Sequence, residues 1–324
     1  MMENKCLYCY KEFISEELKT DSVIEGFHQR CSKRLFGTPI PPKLQLTQDE
    51  ILRLAESVIK SQKSVTGAQP KLSLGWSEDS TQPERLTIVG LWGEYILKPQ
   101  TEIYPTLPEN EDLTMHLARI SKIKTVSHSL IKLKSGELAY ITKRVDRENG
   151  SKNHMEDFCQ LTERLTEHKY KGSYEQIAKS LIKYSANPGL DITNFYEIVL
   201  FSFLTGNNDM HLKNFSLLKL QDKYNLCPAY DLLSAQLVVE DDKEDLALNL
   251  NGKKKKITHK DFEKAMKNSG LDAKVIHNIF KKFKKQIPHW INFIDSSFLP
   301  EPTKKRYKEL VIGKSKQLEL GSTY

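Results

Sequence analysis

Gly206-Asn207-Asn208-Asp209-Met210-His211-Leu212-Lys213-Asn214 is a polar run set directly behind a very apolar stretch, Ile198–Leu204. Carboxylates and amides are costly to bury unpartnered, so their concentration at the end of a buried helix predicts a polar pocket. Asp209 and Asn214 have the D-x-x-x-x-N spacing of phosphoryl-transfer loops. In such loops the Asp orients an attacking hydroxyl and takes its proton, while the Asn lends an uncharged oxygen to Mg²⁺. Asp231, in Ala229-Tyr230-Asp231-Leu232-Leu233-Ser234-Ala235, follows an expected hairpin over about 214–228, where a second, charged Mg²⁺ ligand belongs. Alone, the Asp–Asn pair reads equally well as a polar helix terminus with capping Asn residues. Lys98 shifts that balance. It ends the apolar strand Tyr95-Ile96-Leu97-Lys98, ready to reach nucleotide phosphates as a point charge. Its plainer reading is an edge-strand lysine that blocks aggregation.

Working outward, Thr47-Gln48-Asp49-Glu50 has the form of a capping box. Ile51, Leu54, Ala55, Val58 and Ile59 follow at helical spacing. Strands are expected over 71–74, 86–91, 94–98, 127–133 and 138–145, with Trp92-Gly93 as a tight turn and a helix over 109–122. Beyond Gly150, helices are expected over about 154–165, 173–185, 191–205, 258–268, 272–285 and 303–317. Strands first and helices after predict an α+β chain: a small β-rich lobe over 47–150, then a larger, mostly helical lobe over 151–324.

Residues 1–46 form a separate segment that leaves through the Pro-rich Gly37–Pro42, read as a linker. It holds Cys6-x-x-Cys9 and His28-x-x-Cys31, two pairs with 18 residues between them. That spacing suits a tetrahedral Zn²⁺ site, and metal would stabilise a segment too short for a core of its own. In the competing reading the cysteines are small buried hydrophobes and His28 lies on the surface.

The 324 residues are 39% hydrophobic and 28% charged, which excludes collagen, coiled coil and a wholly disordered chain. Lys plus Arg number 49 against 42 Asp plus Glu, a net +7 that permits attraction to phosphate or an acidic partner. Lys253–Lys256 reads as a solvated turn, and Lys281, Lys282, Lys284 and Lys285 flank Phe283 as on an amphipathic helix, so direct DNA contact is not expected. Five cysteines, three of them in the first 31 positions, are poor disulfide arithmetic. With no leader-like start and no apolar run near the roughly 20 residues of a membrane span, a cytoplasmic protein is expected.

Three segments carry a resemblance: Ser64-Val65-Thr66-Gly67-Ala68-Gln69-Pro70-Lys71, Asn208–Ser216 and Tyr230–Ala235. With Glu156–Gln160 and Ala247-Leu248-Asn249, they resemble the HipA-type serine/threonine kinases, toxins of bacterial toxin–antitoxin modules, from about residue 47 onward. The resemblance implies a two-lobed, protein-kinase-like fold using ATP and Mg²⁺. Asp209 would be the catalytic base, Asn214 and Asp231 the Mg²⁺ ligands, and His211 a neighbour of the nucleotide phosphates with Lys98 on the α/β-phosphates. Val145 and Asp146 would meet adenine and ribose at the hinge, and Tyr230 joins this nucleotide-binding set. Ser64, Gly67, Ala68 and Gln69 would cover the phosphates in place of a Gly-rich loop. Ser64 and Thr66 are the autophosphorylation candidates; a phosphate adds about −1.5 to −2 charges, incompatible with a loop packed on ATP.

The implied target is a translation component such as an aminoacyl-tRNA synthetase. The implied partners are an antitoxin, through which any DNA contact would come, and a separate small subunit replacing the β-rich subdomain that opens larger members. Export into a host cell stays open. Two rival readings also stand beside this one: a small-molecule kinase, and a catalytically idle kinase-fold interaction protein.

Overall fold

Apolar residues recur at every second position in three segments, and these segments become neighbouring strands: Leu72 and Leu74, Tyr95 and Leu97, Ala139 and Ile141 are all buried. The computed structural model describes residues 4–18, 22–61, 70–77, 85–89, 93–148, 150–239 and 242–321. The chain divides into two compact units. The first comprises Met1–Asp112, Val126–Arg144 and Ser296–Leu299; the second comprises Leu113–Thr125, Val145–Asp295 and Pro300–Tyr324.

In chain order the elements are α1 (Ser15–Leu18), β1 (Val23–Ile24), β2 (Phe27–His28), α2 (Gln29–Phe36), α3 (Gln48–Ser61), β3 (Leu72–Trp76), β4 (Leu86–Ile88), β5 (Tyr95–Lys98), α4 (Leu107–Ile120), β6 (His128–Lys132) and β7 (Leu138–Lys143). There follow β8 (Arg147–Glu148), β9 (Ser151–Lys152), β10 (Met155–Asp157), α5 (Phe158–Leu161), α6 (Tyr174–Tyr184), α7 (Pro188–Leu204), β11 (Ser216–Leu220), β12 (Lys223–Leu226), α8 (His259–Asn268), α9 (Ala273–Asp295) and α10 (Glu301–Gln317).

The first unit is built on an antiparallel five-stranded sheet in the order β4-β3-β5-β7-β6. Lys98 pairs with Tyr140 in its register. The Thr47 capping box forms as expected: Thr47 N donates to Glu50 Oε2 at 2.8 Å and Glu50 N to Thr47 Oγ1 at 3.3 Å. Residues ahead of the Pro-rich stretch share this unit's core. The Tyr95 hydroxyl donates to the Leu35 carbonyl, Leu130 N donates to Leu7 O, and the Phe36 and Tyr95 rings meet at 5.7 Å.

In the second unit α7 is apolar almost all round and buried, as a helix at the centre of a core must be. Pro188 opens it, where a missing N–H costs nothing. Capping boxes start α6 (Ser173 and Gln176) and α8 (Thr258 and Asp261). No described helix is long and apolar enough to cross a membrane.

Two expectations are corrected. The helix expected over 154–165 is instead the strand β10 followed by the single turn α5. Met155, Glu156 and Asp157 pair with Leu218, Leu217 and Ser216, and only then does Asp157 cap the turn. Three half-buried residues are too few to show alternation, so only the distant partner strand reveals them. The helix expected to end at 285 runs to Asp295, straight through Pro288. An interior proline costs about 3 kcal/mol, and buried Ile287, Trp290 and Ile294 hold the helix on course beyond it.

Candidate active site

The 206–214 loop owes its shape to the end of α7. Gly206 has φ +67°, so the backbone calls for glycine, and a Cβ there would also press on the end of the Leu310 side chain at 2.8 Å. Asn207 N then donates to Ser202 O at 2.7 Å, closing the helix. The Asp209 carbonyl accepts from His211 N at 2.8 Å and from Asn214 Nδ2 at 3.0 Å. Asp209 and Asn214 are thereby tied directly together. Anchoring its NH₂ fixes the Asn214 amide and leaves Oδ1 to face another group. Asp209 is half-buried, and its Oδ1 accepts a short 2.5 Å hydrogen bond from the Tyr170 hydroxyl. The Tyr174 hydroxyl holds the Met210 carbonyl at 3.1 Å, and Lys213 pairs with Asp157 at 2.8 Å.

His211 is buried, with its ring edge-on to Tyr170 at 4.9 Å. Burial first, and then the nearby Lys169, push its pKa down to about 4, while the field of Asp231 acts in the opposite direction. A neutral imidazole therefore sits in the loop, and its Nδ1 has no hydrogen-bond partner. Asp231 is half-buried and holds φ +54°, a left-handed backbone that aspartate tolerates better than most residues. The Asn214 amide oxygen and the Asp231 carboxylate are hard oxygen donors of the kind Mg²⁺ takes.

Two residues of the expected nucleotide set, Tyr230 and Asp146, have partners within this unit. The Tyr230 hydroxyl donates to Lys213 O at 3.0 Å and lies 2.6 Å from Ser216 Oγ; burial raises its pKa well above the ordinary value. Asp146 is buried against Arg147 Nη1 at 2.5 Å, beside half-buried Val145. Both side chains tie the chain to itself.

In the first unit Lys98 is buried, and its ammonium donates to Glu111 Oε1 at 2.7 Å and Oε2 at 2.9 Å. The Tyr140 ring lies 5.5 Å away. A strand lysine paired to a glutamate on the following helix is the arrangement protein kinases require of their phosphate-binding lysine.

The pattern of the family described as HipA-like C-terminal domain matches residues 63–291, well over half the chain. The chain belongs to that family. A Haemophilus influenzae relative named "Putative kinase" is 26% identical over 92% of this HipA-like chain and 93% of its own length. The serine/threonine-protein kinase toxin HipA of Shewanella oneidensis is 28% identical over 59% of this chain and 47% of its own. Among solved structures, the Shewanella oneidensis HipA, HipB and operator DNA complex superposes with a TM-score of 0.70 at 22% identity, covering 85% of this chain and 72% of that one. The Helicobacter pylori proinflammatory kinase CtkA gives 0.52 at 15% identity, covering 72% and 90%. The fold is that of HipA and CtkA, and the chain is kinase-like.

For this HipA-like chain, sequence reasoning missed Glu111, which stands among Glu109, Asn110 and Asp112 with nothing local to single it out. It also missed Tyr170, whose aim at Asp209 depends on the fold between them. Ser64, Thr66, Gly67, Ala68 and Gln69 lie outside the described residues. Cys6, Cys9, His28 and Cys31 do come together, their ligand atoms all within 4.8 Å of one another.

Proposed function

We propose that this protein is an ATP- and Mg²⁺-dependent serine/threonine protein kinase. The observation that carries the reading is the tie between Asn214 and the backbone of Asp209, in a loop whose His211 feels the field of Asp231. Asn214 and Asp231 would hold Mg²⁺, and bound Mg²⁺-ATP supplies the transferable phosphoryl group. The Tyr170 hydroxyl orients Asp209 through its Oδ1, and the Asp209 carboxylate would accept a substrate hydroxyl's proton. Glu111 holds the Lys98 ammonium in its buried place, and Lys98 would be the cation that serves the α/β-phosphates. Neutral His211 adds no charge, and its Nδ1 offers a hydrogen-bonding atom to a phosphate oxygen or its water.

The same reading includes autophosphorylation at Ser64 or Thr66 and, as target, a translation component such as an aminoacyl-tRNA synthetase. It also includes an antitoxin partner that carries any DNA contact, by analogy with the HipB-bound relative, and a separate small subunit. The test is phosphosite mass spectrometry on cells expressing the wild type beside Asp209→Gln. Phosphate on the 64–71 peptide and on cellular proteins is expected only with the wild type. Undiminished autophosphorylation in the variant defeats the assignment, and transfer to small molecules alone replaces it with a small-molecule kinase.

A further inference from the structure

We propose that Cys6, Cys9, His28 and Cys31 form a closed zinc site whose task is to hold Tyr10 against Asp112 on α4. Zn–S bonds of about 2.3 Å and Zn–N bonds of about 2.0–2.1 Å place the corners of a tetrahedron roughly 3.5–3.8 Å apart. His28 Nδ1 lies 3.6 Å from Cys9 Sγ and 3.8 Å from Cys31 Sγ. One ring nitrogen facing two sulfurs at those distances has one proton at most to offer, whereas a cation at the centre satisfies all the donors together.

The outer partner is also in place. Glu17 Oε2 lies 3.4 Å from His28 Nε2, which fixes the tautomer that frees Nδ1 for metal. Cys6, His28 and Cys31 are buried and Cys9 is half-buried, so protein fills all four positions and none is open to substrate. Three thiols and one imidazole select Zn²⁺ over hard cations, and binding releases the thiol protons.

The consequence runs through the next residue. Tyr10 follows Cys9 with φ +63°, a strained backbone for tyrosine, and its N donates to Cys6 O at 2.9 Å. Its hydroxyl donates to Asp112 Oδ2 at 2.7 Å, and Asp112 Oδ1 meets His128 Nδ1 at 2.6 Å. Asp112 immediately follows Glu111, the partner of Lys98. Metal at the knuckle thus fixes the turn that fixes Tyr10, and Tyr10 fixes the stretch of α4 that presents Glu111.

The test uses the full chain purified without chelator. Elemental analysis should find one zinc per chain, and Co²⁺ replacement should give the thiolate charge-transfer and visible bands of a tetrahedral site. Cys159→Ser, away from the cluster, should keep that stoichiometry and Cys9→Ser should lose it. A wild type with no zinc and no tetrahedral Co²⁺ spectrum overturns the site, whatever the variants' folding. Tyr10→Phe should keep zinc yet speed hydrogen exchange of α4 amides about tenfold, and zinc removal by chelator should do the same. Unchanged α4 protection in both cases overturns the positioning role. Neither readout depends on kinase activity.

Discussion

The start of α4 and the 206–214 loop use the same residue types, carboxylates, tyrosines and histidines, but in opposite ways. Around α4 the side chains are paired off: Lys98 with Glu111, Gln100 with Glu109, Asp112 with both Tyr10 and His128. In the loop the hydrogen bonds are mostly made by the backbone: the Asp209 carbonyl holds both His211 N and the Asn214 amide. Asp209 and Asp231 are half-buried, and His211 Nδ1 has no partner. The contrast separates scaffold from chemistry within one chain. Substitutions at α4 should therefore appear first in stability, and substitutions in the loop first in rate.

The largest effect should come from the loop. Asp209→Asn removes the proton acceptor while keeping its size, and a positioned base contributes typically about 10²–10⁴-fold. Single-turnover phosphoryl transfer should fall by that factor with the thermal midpoint little changed. A variant that unfolds instead would erase the contrast. Next comes Glu111→Gln, which leaves the Lys98 ammonium buried without a counter-charge. Breaking a buried pair from one side costs about 3–5 kcal/mol, to be read from urea unfolding. Equal stability of variant and wild type would show that Lys98 does not need Glu111 to stay buried.

These two sites also show how far the chain can be read without coordinates. Asp209 and Asn214 are legible because their spacing is local and the helix before them is uniformly apolar. The cysteine pairs are legible for the same reason. Glu111 is not, because its partner comes from β5 and only the fold selects it from its acidic neighbours. β10 is hidden likewise by its dependence on β11. Pro288 misleads in the other direction: its local veto on helix is real, and burial of Trp290 and Ile294 overrules it. Local rules located the loop and missed the pairings that need two distant segments.

His211 gives a pH test of the loop. Its pKa is about 4 in the folded protein against an ordinary 6.5, so the unfolded chain takes up the proton first as pH falls. The stability that this neutral, buried ring contributes is fully present above pH 6.5 and is lost as pH falls toward 4. The loss amounts to up to about 3 kcal/mol. His211→Gln, which cannot titrate, should flatten that part of the stability–pH curve. An unchanged slope in the variant would mean that His211 is not the group responsible.

The smallest expected effect is the most discriminating. Tyr170 is 41% exposed, yet its hydroxyl sits on the carboxylate of Asp209. Hydrogen bonds to charged groups contribute about 1.5–3 kcal/mol when shielded, and exposure brings this one nearer 1 kcal/mol. Tyr170→Phe should therefore lower kcat about fivefold and leave the KM for ATP alone, because the bond orients the base and does not hold the nucleotide. Its pH–rate profile should shift upward on the acidic limb, since losing a donor to the charged carboxylate raises the Asp209 pKa. A fall in stability with an unchanged pH profile would instead move Tyr170 to the side of the scaffold, alongside Tyr10.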